Sequence, residues 1–246
     1  GKYRLRFARA TDHQPDRGER AGCVHEREGR GMDIGHRTRI VISSMGHWQE
    51  WTTPLINSIV THEGVPGRHY SLTVIDGSAE VAVIQNLPGC LIYYYPECSL
   101  SQAINWGAAN PDDKWDWLLW LADDNVVERP FLGALSILDP MTVWHRKLVT
   151  NDDLTWGDGG QMLISRALWD KVGALDDTLR GGSEFMDLDY TMRAAKVHGH
   201  FGRMCLPIRN LPVTIRLDTE RGRQAREYNK AVMSARYNTD LTHIHG

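Results

Sequence analysis

Short apolar runs alternate with amphipathic segments along the chain between residues 39 and 122. Four runs rich in β-branched, aromatic or leucine residues predict strands at 39–44, 71–78, 90–95 and 117–122. Two intervening segments carry apolar residues at helical spacing, 48–62 and 99–110. Strands that alternate with helices are typical of βαβ units, so this part of the chain predicts a mostly parallel sheet flanked by helices.

The second half of the chain is less regular. A strand followed by a helix is predicted over 159–177, with Ser165 as the N-cap of the helix. A helix is predicted over 187–199, a short strand over 201–207 and a basic, amphipathic helix over 219–236. We therefore expect an α/β fold with an irregular C-terminal half.

The N-terminal region differs from the rest of the chain in composition and charge. Residues 1–38 are rich in Arg, Gly and Glu without sustained apolar periodicity, so we expect a disordered or loosely packed arm. The first 40 residues carry ten Lys and Arg against six Asp and Glu (+4), and the remaining residues carry 18 against 25 (−7). We expect residues 39–246 to form a single domain. The acidic charge of residues 41–246 does not favour a nucleic-acid-binding core.

The composition is that of an ordinary globular protein: 246 residues, 41% hydrophobic and 24% charged. The four cysteines form no CxxC pair, which argues against a zinc or redox motif and suits a reducing compartment. No apolar run approaches the length of about 18 residues that spans a membrane, so a soluble, cytoplasmic protein is expected. Most of the nine tryptophans, Trp106 among them, are expected to pack in the core.

The strand 117–122 ends in two adjacent carboxylates and an amide, Asp123, Asp124 and Asn125. Ligands of open parallel sheets lie beyond the carboxyl ends of the strands. Two carboxylates about 4 Å apart repel by roughly 4 kcal/mol at an effective dielectric constant near 20, and a divalent cation would relieve that repulsion. An acidic turn in solvent accounts for the same residues equally well.

Two further acidic groups follow predicted elements. Asp76 ends the strand 71–78 beside Gly77, where it favours a structural turn but is also placed to accept hydrogen bonds from a nucleotide base or ribose. Glu184, Asp187 and Asp189 surround the start of the helix 187–199. Carboxylates in the first turn of a helix interact favourably with the helix dipole. This structural role is sufficient to explain at least one of the three acidic residues.

Five segments resemble, in order, motifs of the nucleotide-sugar glycosyltransferases of the GT-A fold, most closely the large family-2 group. They are VIDGS, SQAINWGAA, LWLADDNVVERPFL, GGQMLISRALWDKVGALDDTL and MDLDYTMRAAKVHG. The resemblance runs from Arg39 to Leu206. It implies a GT-A (Rossmann-like) sheet, with 39–127 as the nucleotide-binding half and 128–246 as the acceptor-binding half with the C-terminal helix.

The resemblance also implies roles for individual residues. Asp187 occupies the position of the general base, and Asp123 and Asn125 occupy the two metal-ligand positions for Mn²⁺ or Mg²⁺. Six residues would bind the nucleotide sugar: Ser43, Asp76, Asn105, Asp123, Asp124 and Gly160. Trp156 and Glu184 would contact the acceptor. Two departures weaken the match, because Asn125 replaces an acid at a metal position and Met186 replaces the acid before the base.

The implied activity is that of a glycosyltransferase of the hexosyltransferase class. Asp187 would deprotonate an acceptor hydroxyl, which attacks the anomeric carbon of a UDP- or GDP-sugar directly and inverts it. Alternatives are a retaining transferase, a sugar nucleotidyltransferase or an inactive nucleotide-sugar-binding module. The segment SSMGHWQEW has no Lys or Arg after the first strand, which counts against the nucleotidyltransferase.

The acceptor is open: a lipid, glycan, protein, metabolite or nucleic acid. A nucleic-acid acceptor has the weakest support. Arg221, Arg223 and Arg226 on the last predicted helix could face an anionic acceptor, although a solvated helix face explains them more simply.

Overall fold

The computed structural model describes residues 37–67, 69–78, 89–109, 114–151, 154–180, 185–197, 199–211 and 220–237. The strands in these ranges are β1 (Thr38–Ser44), β2 (Tyr70–Asp76), β3 (Cys90–Tyr94), β4 (Trp117–Ala122), β5 (Asn125–Val127), β6 (Thr142–Asn151), β7 (Leu154–Ser165), β8 (His200–Arg203) and β9 (Ile208–Asn210). The α-helices are α1 (Thr53–Glu63), α2 (Leu100–Ala108), α3 (Arg166–Val172), α4 (Met186–Lys196) and α5 (Glu220–Tyr237). The predicted arm lies almost entirely outside the described residues.

Seven of these strands form one sheet in the order β3-β2-β1-β4-β7-β6-β8. Among them, β7 alone runs antiparallel to its neighbours β4 and β6, and the remaining pairs are parallel. Strands β5 and β9 form a separate antiparallel pair. The predicted mostly parallel α/β sheet flanked by helices is thereby confirmed.

Alternate residues of the central strands pack against helices on opposite faces of the sheet. On one face, Ile40 and Leu119 join Leu55 of α1 in a fully buried cluster. On the other face, Val41 and Leu118 join residues of α2, α3 and α4. A strand that is buried on both faces has a continuous apolar sequence, which is why β1 and β4 were predicted from the sequence. Each such Leu or Ile contributes about 1.5–3 kcal/mol through burial.

Several element boundaries differ from the prediction. The segment expected as the start of a helix at 48 is a π-helical turn over Trp48–Thr52 before α1 begins. The helix after β7 ends at Val172 instead of continuing to 177, because Gly173 turns the chain with a φ of 86°. The N-cap prediction is confirmed, since Ser165 Oγ accepts a hydrogen bond from Leu168 N.

One strand was missed by the sequence analysis, and one expectation about the core is wrong. Strand β6 has no counterpart among the predicted strands, because His145, Arg146 and Lys147 interrupt its apolar positions, and its conformation depends on pairing with β7. Trp106 does not belong to the core, since 48% of its surface is exposed. Its ring packs edge-on against Tyr93, with ring centroids 4.5 Å apart.

None of the helices in the described ranges is both long enough and apolar enough to cross a membrane.

Candidate functional site

The parallel register of β1, β2 and β4 brings their polar ends to one edge of the sheet. Ser44 at the end of β1 pairs with Asp76 at the end of β2, and Ser43 pairs with Ala122, which immediately precedes Asp123. Residues that are 32 and 79 positions apart in the chain are therefore neighbours at this carboxyl edge, where ligands of open α/β sheets bind. We refer to this region as the carboxyl edge below.

Asp123 is a mostly buried carboxylate at this edge, with 9% of its surface exposed. Burial raises its pKa to about 6, and the nearby charge of Asp124 contributes in the same direction. A hydrogen bond from Met45 N, at 3.4 Å from Oδ2, and the positive charge available on His47 act in the opposite direction. Asp123 is therefore a carboxylate whose charge lacks full compensation from the protein.

Asp124 is only partly buried. Burial raises its pKa, and the positive charge of Arg146 on β6 opposes that rise. Its backbone oxygen accepts a hydrogen bond of 2.6 Å from Leu211 N, which anchors the turn after β4. Arg146 was not predicted to lie near the site. It lies at a register shift between His145 and Lys147, and such bulges often redirect a side chain beside a functional site.

Asn125 is fully buried and its amide faces the protein interior. Its Nδ2 donates to Ala122 O at 2.7 Å, and its Oδ1 accepts from Gln161 Nε2 at 2.6 Å. The carbonyl partner of Nδ2 fixes which end of the amide is the nitrogen. Because Asn125 is fully buried and its Oδ1 already accepts from Gln161, its expected role as a metal ligand stays a prediction that this geometry does not favour.

The described residues contain no group of three or more His, Cys, Asp or Glu side chains arranged as a complete metal site. The donor set still fits a hard divalent cation, because Asp123 and Asp124 are adjacent carboxylates and one of them is buried with uncompensated charge. Mg²⁺ and Mn²⁺ commonly take one or two protein carboxylates and complete their coordination with phosphate oxygens and water.

Asp76 is fully buried, and both of its carboxylate oxygens accept hydrogen bonds from the protein. The indole Nε1 of Trp48 donates to Oδ2 at 2.7 Å, and Ser78 N donates to Oδ1 at 3.0 Å. Contact between Asp76 and a nucleoside would require Trp48 to move, so the expected role of Asp76 stays a prediction. Trp48 was not predicted as part of the site, and its position after the first strand is the only signal that the sequence carries.

Ser43 and Gly160 lie beside the strand ends. Ser43 Oγ accepts a hydrogen bond from Trp120 Nε1 at 3.1 Å. Gly160 has a φ of 67°, and a Cβ atom at this position would lie 3.2 Å from the Cβ of Ala122. This close approach of β7 to the end of β4 requires glycine, so a structural role is sufficient to explain Gly160.

The direction of α4 indicates toward which edge of the sheet Asp187 lies. Within four residues of its C-terminus, α4 leads into β8, which runs parallel to β6 and starts opposite the first residue of β6. The C-terminal end of α4 therefore lies at the opposite, amino edge of the sheet, and its N-terminal end points toward the carboxyl edge.

The position of Asp187 along the strand direction follows from a contact that lies one helical turn further along α4. Thr191 Oγ1 lies 3.2 Å from His145 Nε2, and His145 pairs with Met162 across β6 and β7. Asp187 is one helical turn, about 5.4 Å, beyond Thr191 toward the carboxyl edge. Gly160 is two strand residues, about 6.7 Å, beyond Met162 in the same direction. Asp187 thus lies near the level of Gly160, and its side chain is partly exposed.

Of the remaining expected residues, Asn105 makes a structural contact and the others lie outside the described part. Asn105 uses both ends of its amide on Leu175, donating to its oxygen at 2.8 Å and accepting from its nitrogen at 2.9 Å, which ties α2 to the segment after α3. Its contact with a nucleotide sugar stays a prediction. Glu184 and the side chain of Trp156 lie outside the described residues.

Neither a family model nor a curated protein matches this chain in sequence. Solved structures do match in fold. The structure of GalNAc-T7 with UDP, GalNAc and Mn²⁺ has a TM-score of 0.59 at 13% identity, over 80% of this chain and 48% of that one. The mannosyltransferase PcManGT from Pyrobaculum calidifontis, with GDP-Man and Mn²⁺, has a TM-score of 0.52 at 12% identity, over 69% of this chain and 55% of that one.

A third match is TarS from S. aureus, with a TM-score of 0.54 at 11% identity, over 84% of this chain and 44% of that one. The chain spans about half the length of these solved structures. At such low identity the likeness concerns the fold, and on that point it agrees with the strand order and helix placement described above. The chain has the GT-A fold.

Proposed function

We propose that this protein is a GT-A glycosyltransferase that moves a sugar from a nucleoside-diphosphate sugar to an acceptor hydroxyl with the help of a divalent cation. The observation that carries the proposal is the mostly buried, under-compensated carboxylate of Asp123, next to Asp124 at the carboxyl edge of a GT-A sheet. Solved structures of the same fold contain UDP or GDP-Man with Mn²⁺, which supports the choice of a nucleotide-sugar donor and of Mn²⁺ or Mg²⁺.

Each group would have a distinct task in this reaction. Asp123 and Asp124 would hold the cation, which when bound would neutralise the donor diphosphate. Arg146, whose charge already acts on Asp124, would add positive charge on the same side. These groups favour departure of the nucleoside diphosphate, because negative charge accumulates on it as the bond to the sugar breaks.

Asp187 would take the proton from the acceptor hydroxyl as that oxygen attacks the anomeric carbon. The new carbon–oxygen bond forms on the side opposite the departing diphosphate, so the proposed reaction inverts the anomeric centre. The direction of α4, whose N-terminal end points toward the carboxyl edge, supports this role of Asp187. UDP- and GDP-hexoses are the proposed donors.

A thermal-shift screen of UDP- and GDP-sugars, each with and without Mn²⁺, tests the proposal. We expect one nucleotide to raise the melting temperature only when the cation is present, and Asp123→Ala to abolish that rise. Asp177→Ala is the matched control, because Asp177 is an exposed acid on the segment after α3. If none of the nucleotides stabilises the wild-type protein, the proposal is refuted.

Product analysis then separates the proposed transferase from its alternatives. Slow hydrolysis of the bound donor to free sugar and nucleoside diphosphate is expected without acceptor, and Asp187→Asn should lose that hydrolysis while still binding the donor. Formation of an activated sugar with pyrophosphate release would indicate a nucleotidyltransferase. Binding without any turnover would indicate a binding module.

A further inference from the structure

Two side chains of helix α5 donate hydrogen bonds to Asp189, a buried carboxylate on the helix that carries Asp187. Asp189 is fully buried, and its Oδ2 accepts from Arg193 Nε on the same helix at 2.7 Å. Its Oδ1 accepts from two groups of α5, Arg236 Nη1 at 2.7 Å and Tyr237 Oη at 2.8 Å. A buried carboxylate needs such partners, so α4 and α5 are linked by a contact that is costly to break.

The same nitrogen of Arg236 also lies 2.5 Å from Asp176 Oδ2, on the segment between α3 and α4. One cation therefore bridges a loop carboxylate and the buried carboxylate of α4. Burial alone would raise the pKa of Asp176, but hydrogen bonds from Thr178 and Arg236 hold that pKa below its ordinary value. Asp176 is thus held in its charged form, which keeps the bridge intact at neutral pH.

A second contact of α5 holds the loop that leads toward α4. Asn229 is fully buried, its Oδ1 accepts from Arg180 N at 2.8 Å, and its Nδ2 donates to Arg180 O at 2.9 Å. The guanidinium of Arg180 lies 3.8 Å from the ring centroid of Tyr228, also on α5. The backbone of residue 180 is therefore fixed to α5 from both sides.

Between these two contacts, the chain enters α4 through a strained residue. Phe185, two residues before Asp187, has a φ of 72°, which is an outlier for a bulky side chain. Its ring is buried in a cluster with Leu188 and with Met233 of α5. Strain of this kind persists only where the surrounding packing enforces it, and such residues concentrate at functional sites.

We propose that α5 positions the first turn of α4, and with it Asp187, through Arg236 and Asn229. This inference rests on the proposed role of Asp187 as the base. Arg236 contacts the carboxylates of Asp176 and Asp189, and Asn229 contacts the backbone of Arg180. Their effect on the reaction is therefore indirect, through the orientation of Asp187 and the conformation of Phe185.

The test uses the full chain and three variants of α5. Arg236→Met removes the bridging cation, whereas Arg236→Lys keeps one, and a single nitrogen is sufficient because both carboxylates contact the same Nη1. Gln224→Met is the control, since Gln224 is an exposed residue of α5 that donates a hydrogen bond to Glu220. Each variant is measured for hydrogen exchange of residues 185–191, for donor affinity with Mn²⁺ and for the rate of donor hydrolysis.

We expect Arg236→Met to accelerate exchange in residues 185–191 and to lower the hydrolysis rate by about 10- to 100-fold, as small misplacements of a catalytic group do. Donor affinity should stay within about twofold of wild type, because the cation-holding carboxylates lie on another element. Arg236→Lys should restore most of the rate, and Gln224→Met should change neither exchange nor rate. This split between binding and turnover separates positioning from general loss of stability.

Unchanged exchange in residues 185–191, or a parallel loss of donor affinity and rate, would overturn the proposal. If Arg236→Met does not fold, Asn229→Ala takes its place, since it removes both hydrogen bonds to the backbone of Arg180 and no charge. The same outcomes support or overturn the proposal for this variant. If the wild-type protein binds no donor, the proposed function fails, and the exchange comparison alone decides whether α5 holds the first turn of α4.

Discussion

Replacing Asp123 by Asn should stabilise the protein while removing its affinity for a cation and donor. The charged form of Asp123 is disfavoured by burial and by the neighbouring carboxylate of Asp124, so its pKa is about 6 in the folded protein against an ordinary value of 3.8. Asparagine has nearly the same shape and no charge, and it can still accept the hydrogen bond from Met45 N. The substitution removes the unfavourable charge without creating a cavity.

The size and the sign of this effect follow from proton linkage. Between pH 3.8 and about 6 the folded protein holds the Asp123 proton more tightly than the unfolded chain, so this group lowers stability as the pH rises. The full cost above pH 6 is about 3 kcal/mol. At pH 5 the cost is about half as large, because the folded form is then still mostly protonated.

Urea unfolding of wild type and Asp123→Asn at pH 5 and pH 7.5 measures this difference directly. For a chain of this size, about 3 kcal/mol corresponds to roughly 6–12 °C in melting temperature. Wild type and variant must be compared at the same pH, because the buried His145 also makes the stability of both proteins depend on pH. Its effect is opposite in sign to that of Asp123. A variant that is less stable than wild type at pH 7.5, or equally shifted at both pH values, would refute the reasoning.

The remaining predictions concern buried contacts around the same sheet. Trp48→Phe removes the donor to Asp76 Oδ2 and should lower the free energy of unfolding by about 1–3 kcal/mol in urea titrations, with Trp51→Phe as control. Gly107→Ala places a Cβ 2.7 Å from the methyl carbons of Val41 and should cost about 1–3 kcal/mol, part of which Val41→Ala should recover; full additivity of the two would contradict the clash. Burial lowers the pKa of His145 to about 3, so its contribution to stability is present above pH 6.5 and is lost as the pH falls. Wild type should therefore lose about 2 kcal/mol from this group between pH 7 and pH 5, and His145→Gln should lack that loss in the same titrations.

The sheet was predictable where burial on both faces leaves a continuous apolar run, as in β1 and β4. It was not predictable in β6, where three consecutive polar or charged residues hide a strand whose pairing with β7 supplies its hydrogen bonds. The end of α3 was missed by five residues, because the periodicity of apolar residues continues past Gly173 while the backbone does not.

The candidate site was predictable in its location more than in its contacts. Placing Asp76 and Asp123 at the same edge of a parallel sheet requires only the strand pattern and the rule that ligands bind at the carboxyl edge. The partners of these residues were beyond such rules. Asp76 accepts a hydrogen bond from Trp48, which lies 28 residues away in the chain, and Asn125 accepts one from Gln161, which lies 36 residues away. Both contacts depend on the packing of elements that are distant in sequence.

The sequence by itself determined the alternation of strands and helices, the parallel class of the sheet and the edge at which acidic residues collect. These depend on short-range periodicity and on the connectivity rules of βαβ units. The tertiary structure alone decided that Asp123 carries a pKa of about 6, that Asn125 faces inward and that α5 holds the start of α4. Burial, local dielectric and hydrogen-bond partners arise from groups far apart in the chain, so no local pattern encodes them.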